Sequence, residues 1–164
     1  MKKIPLTQGF FALVDDEDFE MLSQFKWRVQ LTHGKFHAMG FIKGKMNYMH
    51  RLIFDVNQGE FIDHIDGDGL NNTRQNLRLA TNSQNQANSK KSRRNSSGFK
   101  GVSYQHDHYR RKPWRSEIFV NNNRNKLGYF STSEEAAAAY DEAAIRYFGE
   151  FAKTNAQIER EKNL

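Results

Sequence analysis

The sequence has no cysteine, which excludes disulfides and any thiolate-ligated zinc site. Long apolar runs are also missing. No stretch approaches the ~20 consecutive apolar residues that span a bilayer. The opening Met1-Lys2-Lys3-Ile4-Pro5 is not followed by an apolar segment of the kind a secretory signal carries, so none is expected. Hydrophobic residues are scarce at 37%, and mean hydropathy is −0.86, so the core should be small. Aromatic residues are not scarce. At 13% they exceed what a disordered chain carries, and they should supply much of that core. With 164 residues, one or two small domains are expected, in a soluble intracellular protein.

Charge is uneven along the chain. Residues 1–85 are balanced, with 10 basic and 10 acidic side chains. Residues 86–126 hold 11 basic and 2 acidic side chains, and residues 127–164 hold 4 and 7. A central basic block with interleaved aromatics suggests a polyanion, most commonly nucleic acid; the plainer alternative is a solvated basic surface.

The first 46 residues read as short strands and turns, with Phe10–Val14 and Phe25–Val29 apolar and Gly34, Gly40 and Gly44 as punctuation. Asp15-Asp16-Glu17-Asp18 can open a helical turn carrying Phe19 and Leu22, because acids favour a helix N-terminus. His33 and His37 are four apart, but the nearby glycines argue against a helix, so both read as ordinary polar positions. Met49–Phe54 is apolar enough for a buried strand, in which His50 reads as a structural histidine. Phe61–Asp66 reads as a strand, Asp66-Gly67-Asp68-Gly69 as a turn, Asn76–Ala80 as a second strand, and Thr81-Asn82-Ser83 as the start of a helix with Asn85 and Asn88.

Residues 86–98 have no hydrophobic period and hold Lys90, Lys91, Arg93 and Arg94. They read as a basic linker, with these four side chains on phosphates. Beyond it, Phe99–Tyr104, Trp114–Val120 and Lys126–Phe130 read as three strands. Strand parity puts Trp114, Ile118 and Val120 on one face and Arg115, Glu117 and Phe119 on the other. Asn121-Asn122-Asn123 is a turn that tolerates left-handed geometry. Thr132-Ser133-Glu134-Glu135 is a capping box, and Ala136, Tyr140, Ala143, Ala144 and Tyr147 form the apolar stripe of the helix that follows, closed at Gly149. His106 and His108 lie in a loop before a basic run, within reach of phosphate.

One constellation suits phosphodiester hydrolysis. Asp63 and His64 are adjacent, with Asn76 13 residues and Asn85 22 residues after Asp63. A neutral histidine can deprotonate water near pH 7, and a hard cation can steady the phosphate and the departing oxygen. Adjacent strand residues face opposite ways, so one can hold the cation while the other addresses the phosphorus. The helix can bring the Asn85 amide oxygen to the cation beside Asp63, and Asn76 can bond the loop backbone and fix His64. Arg78 can hold a phosphate or pair with a surface acid. The alternative is a chance Asp-His dipeptide among turn-forming asparagines.

Asp63-His64-Ile65-Asp66-Gly67, Leu70-Asn71-Asn72, Asn76-Leu77-Arg78 and Asn85 resemble the HNH endonucleases over about residues 47–90, most closely the phage and intron-associated homing type. The resemblance implies a ββα-metal fold, His64 as general base, Asn76 as the structural asparagine, and Asp63 with Asn85 as ligands of one Mg²⁺ or Mn²⁺ ion. The final ligand position is Asn where the family name has His, which implies weaker, more DNA-dependent metal binding.

Gly98–Val102, Trp114–Ile118, Leu127–Phe130, Glu134–Ala137, Ala139–Asp141, Ala143-Ala144, Phe148-Gly149 and Thr154-Asn155 resemble the AP2/ERF DNA-binding domain. That resemblance implies a sheet lying in the major groove, with Lys100, Ser103, Glu117, Phe119, Arg124 and Lys126 facing DNA; Arg115 joins them by strand parity. Ser103, Phe119 and Lys126 depart from the plant pattern, so the target sequence does not carry over.

The expected fold class is α+β. A small β-rich segment (1–46) precedes a ββα HNH module (47–89), a basic linker (90–97), a three-stranded antiparallel sheet packed by one helix (98–156) and a tail (157–164). The expected function is a site-specific, metal-dependent DNA endonuclease of homing type that nicks double-stranded DNA to 5′-phosphate and 3′-hydroxyl ends. It would act as a monomer or dimer with no membrane or protein partner, in a bacterial cytoplasm if phage-encoded. The alternative is a non-catalytic DNA-binding protein with a decayed nuclease module. RNA binding is a third class, but the aromatic signature of the common RNA modules is missing.

Overall fold

The computed structural model describes residues 1–32, 34–54, 56, 60–91, 95–106 and 111–162. His33, Arg93, Arg94 and His108 lie outside these residues. The chain is α+β and divides into two units, Met1–Thr81 and Asn82–Leu164. Among the described residues no helix is long and apolar enough to cross a membrane.

The first unit begins with an antiparallel pair, β1 (Lys2–Pro5) and β2 (Phe11–Val14), followed by α1 (Asp16–Ser23). Three strands then form an antiparallel sheet: β3 (Trp27–Thr32), β4 (Lys35–Ile42) and β5 (Lys45–Tyr48). Met49–Phe54 is not a strand. Residues His50–Ile53 form a single helical turn, α2, because an apolar run this short has no period to separate helix from strand. The hairpin β6 (Phe61–His64) and β7 (Leu77–Ala80) completes the unit. Its core gathers Ile4, Val14, Leu22, Trp27, Met49 and Ile62 with their neighbours. The Trp27 indole N–H donates to the Leu22 carbonyl at 2.8 Å, which removes the cost of burying it.

The N-terminal residues buttress the β6–β7 loop. The Leu13 amide donates to the Leu70 carbonyl at 2.9 Å, and the Leu13 carbonyl accepts from the Asn72 amide at 2.8 Å. Arg74 closes the brace, its guanidinium giving two hydrogen bonds to the buried Asp18 at 2.8 and 2.7 Å. Its backbone N–H donates to Asp15 Oδ2 at 2.7 Å. The acidic start of α1 thus serves the loop as well as the helix dipole.

The second unit opens with α3 (Asn82–Ala87) and continues to the antiparallel sheet β8 (Val102–Tyr104), β9 (Trp114–Val120) and β10 (Asn123–Phe130), in the order β10-β9-β8. The β8 strand is shorter than its sequence suggests because residues 97–101 turn, held by Ser97 Oγ on the Phe99 and Val102 carbonyls. Asn121 and Asn122 make the β9–β10 turn at φ 50 and 64, the geometry asparagine tolerates. The helix α4 (Ser133–Phe148) starts in the expected capping box, with Thr132 Oγ1 accepting from the Glu135 amide at 3.1 Å. Ala136, Tyr140, Ala144 and Phe148 form its buried row. Tyr147 stands exposed instead of belonging to the stripe, because the contact follows i+4 steps to the last turn. A final helix, α5 (Asn155–Lys162), covers most of the expected tail, anchored by buried Ile158.

Candidate active site

The β6–β7 register sets Asp63 opposite Arg78 and His64 opposite Leu77. Residues directly opposite share a face of the sheet. Arg78 Nη2 and Nε accordingly donate to Asp63 Oδ2 at 2.8 and 3.0 Å. Asp63 is only 1% exposed, and a carboxylate so buried requires a charge partner of this kind. Arg78, open in sequence to a phosphate or a surface acid, pairs with an acid that is buried, and that acid is the candidate metal ligand.

Asn76 bonds the loop, as its position suggested. Its Oδ1 accepts from the Asp66 amide at 3.0 Å, and its Nδ2 donates to Asp66 Oδ1 at 2.9 Å and to the Asn71 carbonyl at 2.8 Å. Asp66 Oδ1 also accepts from the Asp68 amide, and Oδ2 from Asn71 Nδ2. These side chains build the turn before any ligand arrives. The His64 ring is held by a residue that sequence reasoning did not single out. The fully buried Asn72 places Oδ1 3.3 Å from His64 Nε2. An amide oxygen only accepts, so this contact is a hydrogen bond when Nε2 carries the proton. Burial holds His64 below the ordinary histidine value, against the opposing pull of the Asn72 hydrogen bond and the charges of Asp66 and Asp63. A neutral ring at pH 7 can accept a proton.

Two further histidines meet His64. His37 comes from β4 and His50 from the start of α2. Ring centroids are 5.0 Å apart for His50–His64, 5.9 Å for His37–His64 and 6.1 Å for His37–His50. One nitrogen from each ring lies within 4.8 Å of the other two. Tyr48 stacks on His50 at 5.3 Å. Burial, reinforced by His64 and His37 and then Arg51, pushes His50 down to about 2. Gly69 closes the cluster from the loop. A Cβ there would stand 2.3 Å from the Phe36 carbonyl oxygen and 2.4 Å from His37 Nδ1, so only glycine permits the approach. Neither His37 nor His50 is an isolated polar or structural position. Their spacings of 13 and 14 residues carry no helix or strand period that a sequence reading could have used.

Asn85 lies on α3 of the second unit. In that unit the sheet register aligns Ser103 with Arg115, Glu117 with Lys126, and Phe119 with Arg124, so these six share one face. The opposite face buries Val102, Ser116 and Ile118. Glu117 Oε2 lies 3.3 Å from Arg115 Nε and 3.9 Å from Arg124 Nε, and the Arg124 guanidinium lies 5.4 Å from the centre of the exposed Phe119 ring. Lys100 precedes β8, and its ammonium donates to the Ala87 and Lys153 carbonyls. Lys90 sits 3.8 Å from Glu161 Oε2, and Lys91 is half-buried.

The HNH endonuclease family model matches residues 47–87, which span β6, the loop and β7. An uncharacterised HNH endonuclease of Acanthamoeba polyphaga mimivirus is 32% identical over 154 residues, covering 90% of this chain and 76% of the relative. The chain belongs to the HNH endonuclease family. The chain is also similar, over its C-terminal part, to an AP2-like ethylene-responsive transcription factor of Arabidopsis thaliana, 46% identical over 77 residues that cover 42% of this chain and 13% of the factor. Protein 3.8 of Escherichia phage T7 is 41% identical over 63 residues, covering 38% of this chain and 50% of that protein. No solved structure matches.

HNH nucleases are metal-dependent, and this nuclease offers two kinds of donor. The Asp63 carboxylate supplies oxygens, which suit a hard ion such as Mg²⁺. The histidine cluster supplies nitrogens, which suit transition ions. A carboxylate oxygen suits a hard ion, and Arg78 is hydrogen-bonded to Oδ2 of Asp63.

Proposed function

We propose that this nuclease is a site-selecting, Mg²⁺- or Mn²⁺-dependent DNA endonuclease of homing type. The observation that supports this reading most is the His64 ring, buried, neutral and oriented by Asn72, one residue from the Asp63 carboxylate. His64 Nδ1 takes the proton of the attacking water, and Asn72 keeps the ring in the tautomer that can do so. Asp63 would hold one metal ion, with Asn85 the further ligand that the HNH resemblance implies, and the ion would neutralise charge on the phosphate and on the departing 3′ oxygen. Asn76 keeps the loop shaped around the site. Hydrolysis leaves 5′-phosphate and 3′-hydroxyl ends.

The sheet face of the second unit selects the site. A β-sheet fits the width of the major groove, and Ser103, Arg115, Glu117, Phe119, Arg124 and Lys126 supply polar, charged and aromatic contacts there. Lys90, Lys91, Arg93 and Arg94 track phosphates without reading bases. Lys100, whose ammonium donates to the Ala87 and Lys153 carbonyls, joins that face in the reading carried over from the AP2/ERF resemblance. One HNH module per chain cuts one strand, so a monomer nicks and a double-strand break takes two copies.

The test is cleavage of a supercoiled plasmid library in Mg²⁺, with an EDTA control. Open circles that form only with the metal are expected, with ends that map to a shared sequence. Linear product with no open-circle intermediate contradicts nicking by one site. No cutting at all, with salt-sensitive binding to a defined sequence, leaves DNA recognition and overturns the hydrolysis.

A further inference from the structure

The histidine cluster contains more imidazole than water activation needs. One ring suffices as a base, yet three, from β4, α2 and β6, each offer a nitrogen within 4.8 Å of the other two. Each ring is fixed by a different neighbour. His64 is hydrogen-bonded to Asn72, His50 is stacked by Tyr48, and His37 Nδ1 is buried beside Gly69. A hydrogen bond to one ring nitrogen, as at His64, is the outer support that metal-bound histidines show, with the other nitrogen aimed at an ion. Three imidazoles and one open position make a coordination set for a borderline divalent ion, and Mg²⁺, which prefers oxygen, does not compete for it.

We propose that His37, His50 and His64 form a three-histidine site for a transition ion of the Zn²⁺ class, separate from the oxygen donors, and that filling it silences the nuclease. Tetrahedral coordination at the usual zinc–nitrogen length draws the nitrogens to about 3.4 Å apart, a closure of roughly 1.4 Å or less from the present spacing. An ion held by the His64 ring would engage the imidazole that acts on water in the proposed mechanism, so metal occupancy and catalysis exclude each other. The silencing half rests on the reading of His64 as the base; the binding half does not. His37 lies outside the 47–87 segment that matches the HNH family, so the site is a property of this chain's N-terminal sheet joined to that module.

Two measurements on the full chain, stripped of metal and desalted, test this. The first titrates Zn²⁺ alone by calorimetry. One ion per chain is expected, with affinity falling at least tenfold in His37→Gln and in His50→Gln. Absence of binding by the wild-type chain overturns the site whatever the variants do. Equal binding by the wild type and both variants places the ion elsewhere and overturns it too. The second measures plasmid nicking in excess Mg²⁺ with and without Zn²⁺, as the ratio of the two rates within each protein. The ratio should drop at least tenfold in the wild type and stay near one in His37→Gln. An unchanged wild-type ratio despite confirmed binding overturns the silencing. If Mg²⁺ supports no nicking, the hydrolytic reading fails, and the calorimetry still decides the metal site.

Discussion

Acid should destabilise the first unit through His50, by an amount that can be worked out. Burial sets the His50 value at about 2 in the folded chain, against an ordinary 6.5. The unfolded chain therefore binds the extra proton first. The stability this group contributes is complete above about pH 6.5 and is lost progressively as pH falls from there toward 2. One proton gives a slope of about 1.4 kcal/mol per pH unit. At pH 4.5, about two units below the unfolded value, His50 alone costs about 3 kcal/mol. His64 is shifted in the same direction and adds to the loss. Domains are stable by only ~5–15 kcal/mol, so the effect is a large share of the total. Urea denaturation of the full chain at pH 7 and pH 4.5 measures it. Trp27 is buried in this unit, and a Trp114→Phe background makes its emission the sole tryptophan signal. In His50→Gln the stability difference between the two pH values should shrink by about 3 kcal/mol. The same difference in both proteins would refute the claim that burial keeps this ring neutral.

The brace on the loop predicts that Asp18→Asn, which weakens two short bonds to Arg74, costs about 2 kcal/mol and speeds hydrogen exchange at the Asp66 amide; unchanged exchange would show that the loop does not need α1. Gly101→Ala should cost the second unit about 3 kcal/mol in urea denaturation, because a Cβ at φ +75 would lie 2.0 Å from the Tyr140 ring and 2.8 Å from the Glu117 carbonyl oxygen. A sheet face on DNA predicts that Arg124→Ala weakens binding and lowers the salt slope by about 1, read from affinity at several salt concentrations; an unchanged slope removes Arg124 from the interface.

Much of the fold could be read locally. The capping box at Thr132 and Glu135, the asparagine turn at 121–122 and the alternation in β9 are each written in a few adjacent residues. The β6–β7 hairpin around Asp63 and His64 was legible for the same reason. What was not legible depends on tertiary pairing. The Asp63–Arg78 ion pair follows from a register that only the finished hairpin sets. Asn72, read merely as part of a motif, reaches His64 because the Asp66–Asn76 loop folds back on β6. The approach of His37 and His50 to His64 needs three elements to converge, and no spacing announces it. The role of the first 46 residues was hidden likewise: Leu13, Asp15 and Asp18 act on residues 56 or more positions away.

The measurement that bears most directly on His64 as the general base compares wild type with His64→Ala in two assays on one DNA substrate. Loss of a positioned base removes roughly 10²–10⁴-fold in rate. Nicking in Mg²⁺ should therefore fall by at least a hundredfold, while DNA affinity at fixed salt stays within about threefold. Nicking that persists in His64→Ala, or affinity that collapses along with it, would contradict the assignment of His64 as the base that activates water.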